Sequence, residues 1–358
     1  MTFTLNEEQQ LLKDSARAFC AEQAPVTRFR KQRDAKQNGR DPELWTEMAA
    51  MGWAGVIVPE EFGGAGLGYV GLGVVLEETG RTLVASPLHS SALAGASALL
   101  LAGTDAQKAE WLPKIAAGEV IATLAVDEGA HHAPGKSALK FAGGKLSGKK
   151  TYVADGHVAD LVIVAGADAL YLVRGDAGGL TRRELITVDS RGAADLMFED
   201  VAAEKMNGGA EVIDAILDRA RIGLAAEMLG QASAAFEITS EYLKTRKQFG
   251  QVIGGFQALQ HRAAKLFTEL ELTRSCVLAA LDALDRGDKR IAEYASLAKA
   301  RAADTLHLAT SEMVQLHGGI GMTDAHDAGL YLKRARVAEA LYGGASFHRD
   351  RYAKLLGF

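Results

Sequence analysis

Three short runs in this 358-residue chain combine residue types able to grip a ligand. The first is Thr245-Arg246-Lys247-Gln248-Phe249-Gly250-Gln251-Val252-Ile253-Gly254-Gly255-Phe256-Gln257. An arginine, an aromatic ring and amides around one glycine turn suit a diphosphate and its attached rings, because a guanidinium offers a fork of donors to phosphate oxygens. Arg246 and Lys247 are equally at home as plain cations at a helix C-terminus, which the dipole favours. The second run is Gln315-Leu316-His317-Gly318-Gly319-Ile320-Gly321-Met322-Thr323. Its glycines let the backbone approach a ligand closely, although a turn between two helices uses glycine in the same way. The third leads from Arg334 to Tyr342-Gly343-Gly344-Ala345-Ser346, a glycine pair after an amphipathic stretch. Other chemistries find no support. There is no His-x-x-x-His or Cys-x-x-Cys set, so no metal site is expected, and His131-His132 in a Gly/Pro loop are expected to be solvated. No Gly-x-Ser-x-Gly elbow occurs. Gly63-Gly64-Ala65-Gly66 lacks the surrounding βαβ unit of a nucleotide fingerprint.

The elements that must position these runs fall into three zones, residues 1–118, 119–203 and 204–358. In the first, Asn6 can cap a helix whose Glu7 and Glu8 suit the positive end of the dipole, and Leu11, Leu12, Ala16, Phe19 and Cys20 recur near helical spacing. Further helices are predicted over 42–51, 70–83, 90–101 and 105–117. In the second zone, short apolar or alternating runs at 121–126, 138–141, 145–153, 161–165, 169–173 and 185–188 are separated by turn residues, among them Gly143-Gly144 and Asp155-Gly156. That texture predicts a small antiparallel β unit. The third zone returns to helix over 210–247, 255–286, 289–316 and 325–356, an antiparallel bundle of four.

Composition adds exclusions. Net charge is −5 with acidic and basic residues interspersed, so no basic stripe points to nucleic acid or an anionic membrane. Cys20 and Cys276 are the only cysteines, too few for a disulfide framework, which suits a reducing cytosol. No basic-then-apolar signal pattern opens the chain, and no uncharged apolar run reaches the roughly 18 residues of a spanning helix. A soluble, cytoplasmic protein is expected.

Arg-Lys-x-Phe-Gly with a glutamine eleven positions after the arginine (Arg246 to Gln257) resembles the flavin-diphosphate segment of the acyl-CoA dehydrogenase family. Gln315-x-x-Gly318-Gly319-x-Gly321 is similar to its companion, and Val58-Pro59-Glu60-Glu61-Phe62-Gly63-Gly64 and Leu146-Ser147-Gly148-Lys149-Lys150 before Tyr152 also resemble family segments. The likeness runs from about Asn6 to Tyr352 in the same three-zone order. It implies a mostly helical fold with a central, barrel-like β domain and a C-terminal four-helix bundle. It also implies FAD, an acyl-CoA substrate, and electron-transfer flavoprotein or a similar acceptor. In the family a carboxylate removes the α-proton of the thioester while the β-hydrogen leaves as hydride to the flavin. The base must reach that proton, and charge on the thioester oxygen must be stabilised.

The resemblance also implies losses. The family's usual Ile-Tyr-Glu-Gly-Thr-like segment matches Leu341-Tyr342-Gly343-Gly344-Ala345, so Gly343 stands where the base is expected. The alternative base position, on the first bundle helix, holds Ala220. The flavin-lining Thr-Glu-Pro-x-x-Gly-Ser-Asp is replaced by Asp127-Glu128-Gly129-Ala130-His131-His132, and Trp-Ile-Thr by Tyr152-Val153-Ala154. The retained residues, Arg246, Gln248, Phe249, Gln257, Gln315, Gly318 and Gly319, belong in family dimers to the flavin held mainly by the neighbouring subunit. The leading expectation is therefore one subunit of an α2β2 acyl-CoA dehydrogenase whose partner supplies the catalytic glutamate. Two alternatives stand beside it. One is a homotetramer with a displaced base, Glu227, two turns beyond Ala220 on the same helix face, with Glu339 a weaker candidate. The other is a structural subunit that binds no flavin. Steroid side chains and other bulky CoA esters are the substrate class the resemblance suggests.

Overall fold

In the computed structural model, which describes residues 5–358, Asn6 starts the first helix as its position predicts. Its side chain accepts from the Gln9 N–H at 2.8 Å while the Gln9 side chain accepts from the Asn6 N–H at 3.1 Å, satisfying two end donors reciprocally. This opens α1 (Glu7–Glu22), followed by α2 (Val26–Asp34), α3 (Pro42–Ala50) and α4 (Gly68–Arg81). A π-helical stretch, Leu88–Gly95, runs into α5 (Ala96–Ala102), and α6 (Asp105–Ala116) closes the first helical region. After the strands come α7 (Ala210–Thr245), α8 (Gln257–Asp285), α9 (Ile291–His317), α10 (Ala328–Ala340) and α11 (Ala345–Leu355). The chain divides into two compact units. One gathers the N-terminal stretch to Thr27, Gly73–Val84 and Leu224–Phe358; the other holds Arg28–Leu72 and Ala85–Gly223.

The second unit contains the two four-stranded sheets. Strands β1 (Ala122–Ala125), β4 (Leu161–Ala165), β5 (Leu170–Arg174) and β8 (Glu204–Lys205) form one sheet in that order. The other runs β2 (Lys140–Ala142), β3 (Lys145–Ala154), β7 (Ala193–Ala202), β6 (Leu180–Leu185). Gly143 and Gly144 turn the β2–β3 hairpin with φ of +57° and +76°, the left-handed pair a two-residue loop requires. The sheets face one another across a shared core of Ala125, Val162, Val164 and Val173 from one and Leu146, Val153, Ala194, Leu196 and Phe198 from the other, a barrel-like pair that stays open. One expectation needs correction: the pairing is not wholly antiparallel, because β1 lies parallel to β4. The chain passes through β2 and β3 of the other sheet between them, which gives it the length to return in the same direction.

In the first unit, small residues let helices touch backbone to backbone. A Cβ on Gly80 would lie 2.2 Å from the Glu227 carbonyl oxygen, and one on Gly230 would lie 1.8 Å from that of Glu77. Glu77 itself ties three helices together, accepting from Lys13 at 3.0 Å and Arg274 at 2.8 Å. The last predicted helix, 325–356, is two helices broken at residues 341–344. The buried ammonium of Lys299 caps the break, donating to the carbonyls of Ala338, Glu339 and Gly343 at 3.0–3.1 Å, where a cation suits the negative end of α10. Among the described residues no helix is long and apolar enough to cross a membrane.

Candidate functional site

The Arg246 run is a minimal hairpin between α7 and α8. Strands β9 (Lys247–Gln248) and β10 (Gln251–Val252) pair around Phe249 and Gly250, whose φ values are +53° and +83°. The Ile253 N–H closes the loop on the Arg246 carbonyl at 2.9 Å. The tip lifts the Phe249 ring into solvent, 87% exposed. Arg246, Gln248 and Gln257 are exposed as well, and their side chains have no partner among the described residues.

The glycine run forms a 3-10 turn, Gly318–Met322, at the end of α9. Gly318 has φ +63°, a conformation that calls for glycine. Gly319 does not, yet a Cβ built on it meets nothing within 4 Å, so nothing among the described residues demands its bareness. The two runs meet through Tyr242, one turn before Arg246. Its ring lies 4.3 Å from that of His317, centroid to centroid, and its hydroxyl donates to the His317 carbonyl at 3.4 Å. Sequence reasoning gave Tyr242 no role, although its spacing from Arg246 put it on the last turn of the same helix. Gln315 is exposed on the turn that precedes Gly318.

The expected base positions carry no carboxylate. Gly343 has φ +103°, and a Cβ there would lie 2.5 Å from Phe347 Cδ1 and 3.1 Å from His348 Nε2. Its neighbour Tyr342 is also left-handed, and His348 Nε2 donates to the Tyr342 carbonyl at 3.1 Å. Ala220 is buried in α7, its carbonyl accepting from His89 Nε2 at 3.1 Å. Glu227 is buried in the first unit, bonded by Gln231 at 3.0 Å with the Arg334 guanidinium at 3.9 Å. Glu339 pairs with Arg336 at 3.0 Å beside a cavity of about 530 Å³ that Asp304, His307, Ser346 and Arg349 also line.

In the second unit, the segment expected to line a flavin is tied to the protein itself. Glu128 accepts from the buried Lys150 at 2.9 Å and from the Ala138 N–H at 2.7 Å. Burial pushes the Glu128 carboxyl up, but the bonds from Ala138, Ser137 and Lys150 outweigh it and hold the group below the usual range. Burial pulls the Lys150 ammonium down against the opposing effect of Glu128. His132 departs from expectation. Its side chain is buried, with Nδ1 2.9 Å from Asp127 and Nε2 3.2 Å from the Arg221 guanidinium. Because arginine only donates, Nε2 accepts and the proton sits on Nδ1. The buried Arg221, which also pairs with Asp218 at 2.9 Å, draws this histidine in from solvent. Tyr152 is half-exposed with φ +52°, and the Ala154 carbonyl accepts from the Thr123 hydroxyl at 2.6 Å.

Comparison with known proteins gives this arrangement a family. Residues 6–119 match the N-terminal domain of acyl-CoA dehydrogenases and residues 207–356 the C-terminal domain. Acyl-CoA dehydrogenase IpdE2 of Mycobacterium tuberculosis H37Rv is 34% identical over 343 residues, 94% of this chain and 93% of that protein. The chain belongs to the acyl-CoA dehydrogenase family of oxidoreductases. Among solved structures, a variant of the Tcur3481-Tcur3483 steroid acyl-CoA dehydrogenase superposes with a TM-score of 0.90 at 34% identity, covering 99% of this chain and 98% of the other. The ChsE4-ChsE5 complex of Mycobacterium tuberculosis gives 0.89 at 25% identity, covering 99% of each chain.

Proposed function

We propose that this chain is one subunit of a heteromeric, FAD-dependent acyl-CoA dehydrogenase. It lends Arg246, Gln248, Phe249, Gln257, Gln315, Gly318 and Gly319 to the diphosphate end of a flavin, and a partner dehydrogenase subunit supplies the catalytic glutamate. The observation that carries the reading is the Tyr242–His317 contact, which brings an exposed, unpaired arginine hairpin and a bare glycine turn into one place. The residues fit the group. The guanidinium and amides are free to donate to phosphate oxygens, and the open space beside Gly318 and Gly319 admits a close ligand. When bound, the flavin supplies the hydride acceptor for α,β-dehydrogenation of an acyl-CoA thioester. This chain's part is to hold and orient the cofactor tail; neither Gly343 nor Ala220 can take the α-proton. The similarity to a steroid acyl-CoA dehydrogenase favours a bulky CoA ester as substrate, with an electron-transfer flavoprotein or similar acceptor re-oxidising the complex.

The test is to purify the chain alone and together with the product of a neighbouring dehydrogenase gene. One flavin per heterodimer and turnover only in the complex are expected. Full flavin occupancy and turnover by the chain alone would rule the reading out.

A further inference from the structure

We infer that His317 is a positioning residue whose imidazole clamps the Arg246 hairpin to the Gly318–Gly319 turn, and that the clamp holds only while the ring is uncharged. The inference rests on the reading above, in which both segments grip one cofactor tail.

The His317 ring is 3% exposed and lies between two others: Tyr242 from α7 with centroids 4.3 Å apart, and His326 from the loop before α10 at 4.2 Å. Three chain segments thus converge on one imidazole. Its Nδ1 lies 2.7 Å from the Met313 carbonyl, which only accepts, so Nδ1 carries the proton. Nε2 is buried and has no hydrogen-bond partner among the described residues. A second proton there would be a buried donor without an acceptor, and the ring would carry its charge beside His326. The groups facing the ring are the Tyr242 phenol, the Met313 carbonyl and His326, and no carboxylate pairs with it among the described residues. Burial pulls the His317 pKa below the ordinary histidine value; the Met313 bond opposes this and His326 adds to it. The glycine turn starts at this residue: Gly318 follows His317 in the chain, and a Cβ on Gly321 would lie 3.1 Å from His317 Cβ and 2.6 Å from the Val314 carbonyl oxygen. A shift of His317 would therefore carry the two bare glycines relative to Arg246.

The experiment uses the complex with the partner subunit and reads flavin dissociation across pH, together with nitrogen NMR of the histidine rings. In the wild type, flavin affinity is expected to hold at pH 6.5, the ordinary histidine value, and to fall at least tenfold at lower pH, and the His317 proton resides on Nδ1 at neutral pH. His317→Phe keeps a stacked ring but loses the bond to Met313. It should weaken affinity about tenfold at neutral pH and flatten the acid limb. His326→Phe removes the imidazole that disfavours a proton on His317, so His317 protonates more readily and the acid limb moves to higher pH. A His317→Phe complex with wild-type affinity and pH profile would overturn the inference while leaving the proposed function intact. So would an unmoved acid limb in His326→Phe, or a proton found on Nε2, even if the His317 variant fails to fold. A wild-type complex that holds no flavin at any pH would instead overturn the functional reading and this inference with it.

Discussion

The buried ammonium of Lys299 donates to the main-chain oxygen of Gly343 at 3.1 Å. The residue at the expected base position is therefore held through its backbone, and the Phe347 ring fills the space a side chain would enter. Gly343→Glu combines a strained φ with a collision, and a cost of about 2–4 kcal/mol is expected. Thermal unfolding should show the loss, and the variant chain should gain no turnover by itself. A Gly343→Glu chain that melts like wild type and oxidises acyl-CoA alone would show that the turn accepts a base after all.

Gly319 offers the opposite case. Apart from its chain neighbours, no atom of the described residues comes within 4 Å of its missing Cβ, and its φ is ordinary. Gly319→Ala should leave the melting temperature unchanged or slightly raised, since alanine narrows the unfolded ensemble. In the complex the same methyl group should lower flavin affinity at least about tenfold, some 1.4 kcal/mol.

Arg246 is exposed and its side chain makes no bond among the described residues, so Arg246→Ala should change stability by less than about 0.5 kcal/mol. A charge-assisted, forked contact to phosphate is worth about 1.5–3 kcal/mol. Flavin retention by the complex should fall accordingly, with Arg246→Lys in between because it keeps charge but not the fork. Unchanged flavin content in Arg246→Ala would favour a purely structural subunit.

Glu227 and Arg334 are both buried, 3.9 Å apart. Glu227→Gln keeps the shape but removes the negative charge facing the guanidinium, so a destabilisation of up to about 3 kcal/mol is expected in denaturant titrations. Turnover per folded complex should stay at the wild-type level. Its loss, in a variant that still binds flavin, would make Glu227 the base.

The second unit should weaken in mild acid. Burial, with Arg40 and Arg182 nearby, holds the His157 pKa below the ordinary value of 6.5 against the influence of Glu184. The unfolded chain, titrating near 6.5, takes up the proton first. The contribution is therefore whole above about pH 6.5 and is lost as pH falls through the lower, folded value. Denaturant melts between about pH 7.5 and 5 should show the decline, and His157→Gln should reduce its slope.

Local signals were legible where a short stretch decides its own conformation. Asn6 and Gln9 form the reciprocal cap, and Gly143-Gly144 turn the hairpin where expected. Structure decided by distant partners was not legible. The helix Val26–Asp34 is so rich in Arg, Lys, Gln and Asp that its periodicity is faint; it buries only Phe29 and Gln32. The strand Ala193–Ala202 gains its pattern from pairing on both sides, and the expected strand at 185–188 is instead a loop with Ile186 and Val188 in solvent. The break at 341–344 depends on Lys299, some forty residues away. In the candidate site, residue types announced the hairpin and the glycine turn, but only the fold brings Tyr242 against His317, and only Arg221 explains why His132 is buried.

The Phe249 tip has a practical corollary for anyone producing this polypeptide. A single ring on a tight loop is tolerated in water, but it is the group of the hairpin that a surface seated there would cover first. In the proposed heteromeric complex, matched synthesis of the two gene products should then raise the yield, and a Phe249→Ser version should associate less tightly with its counterpart.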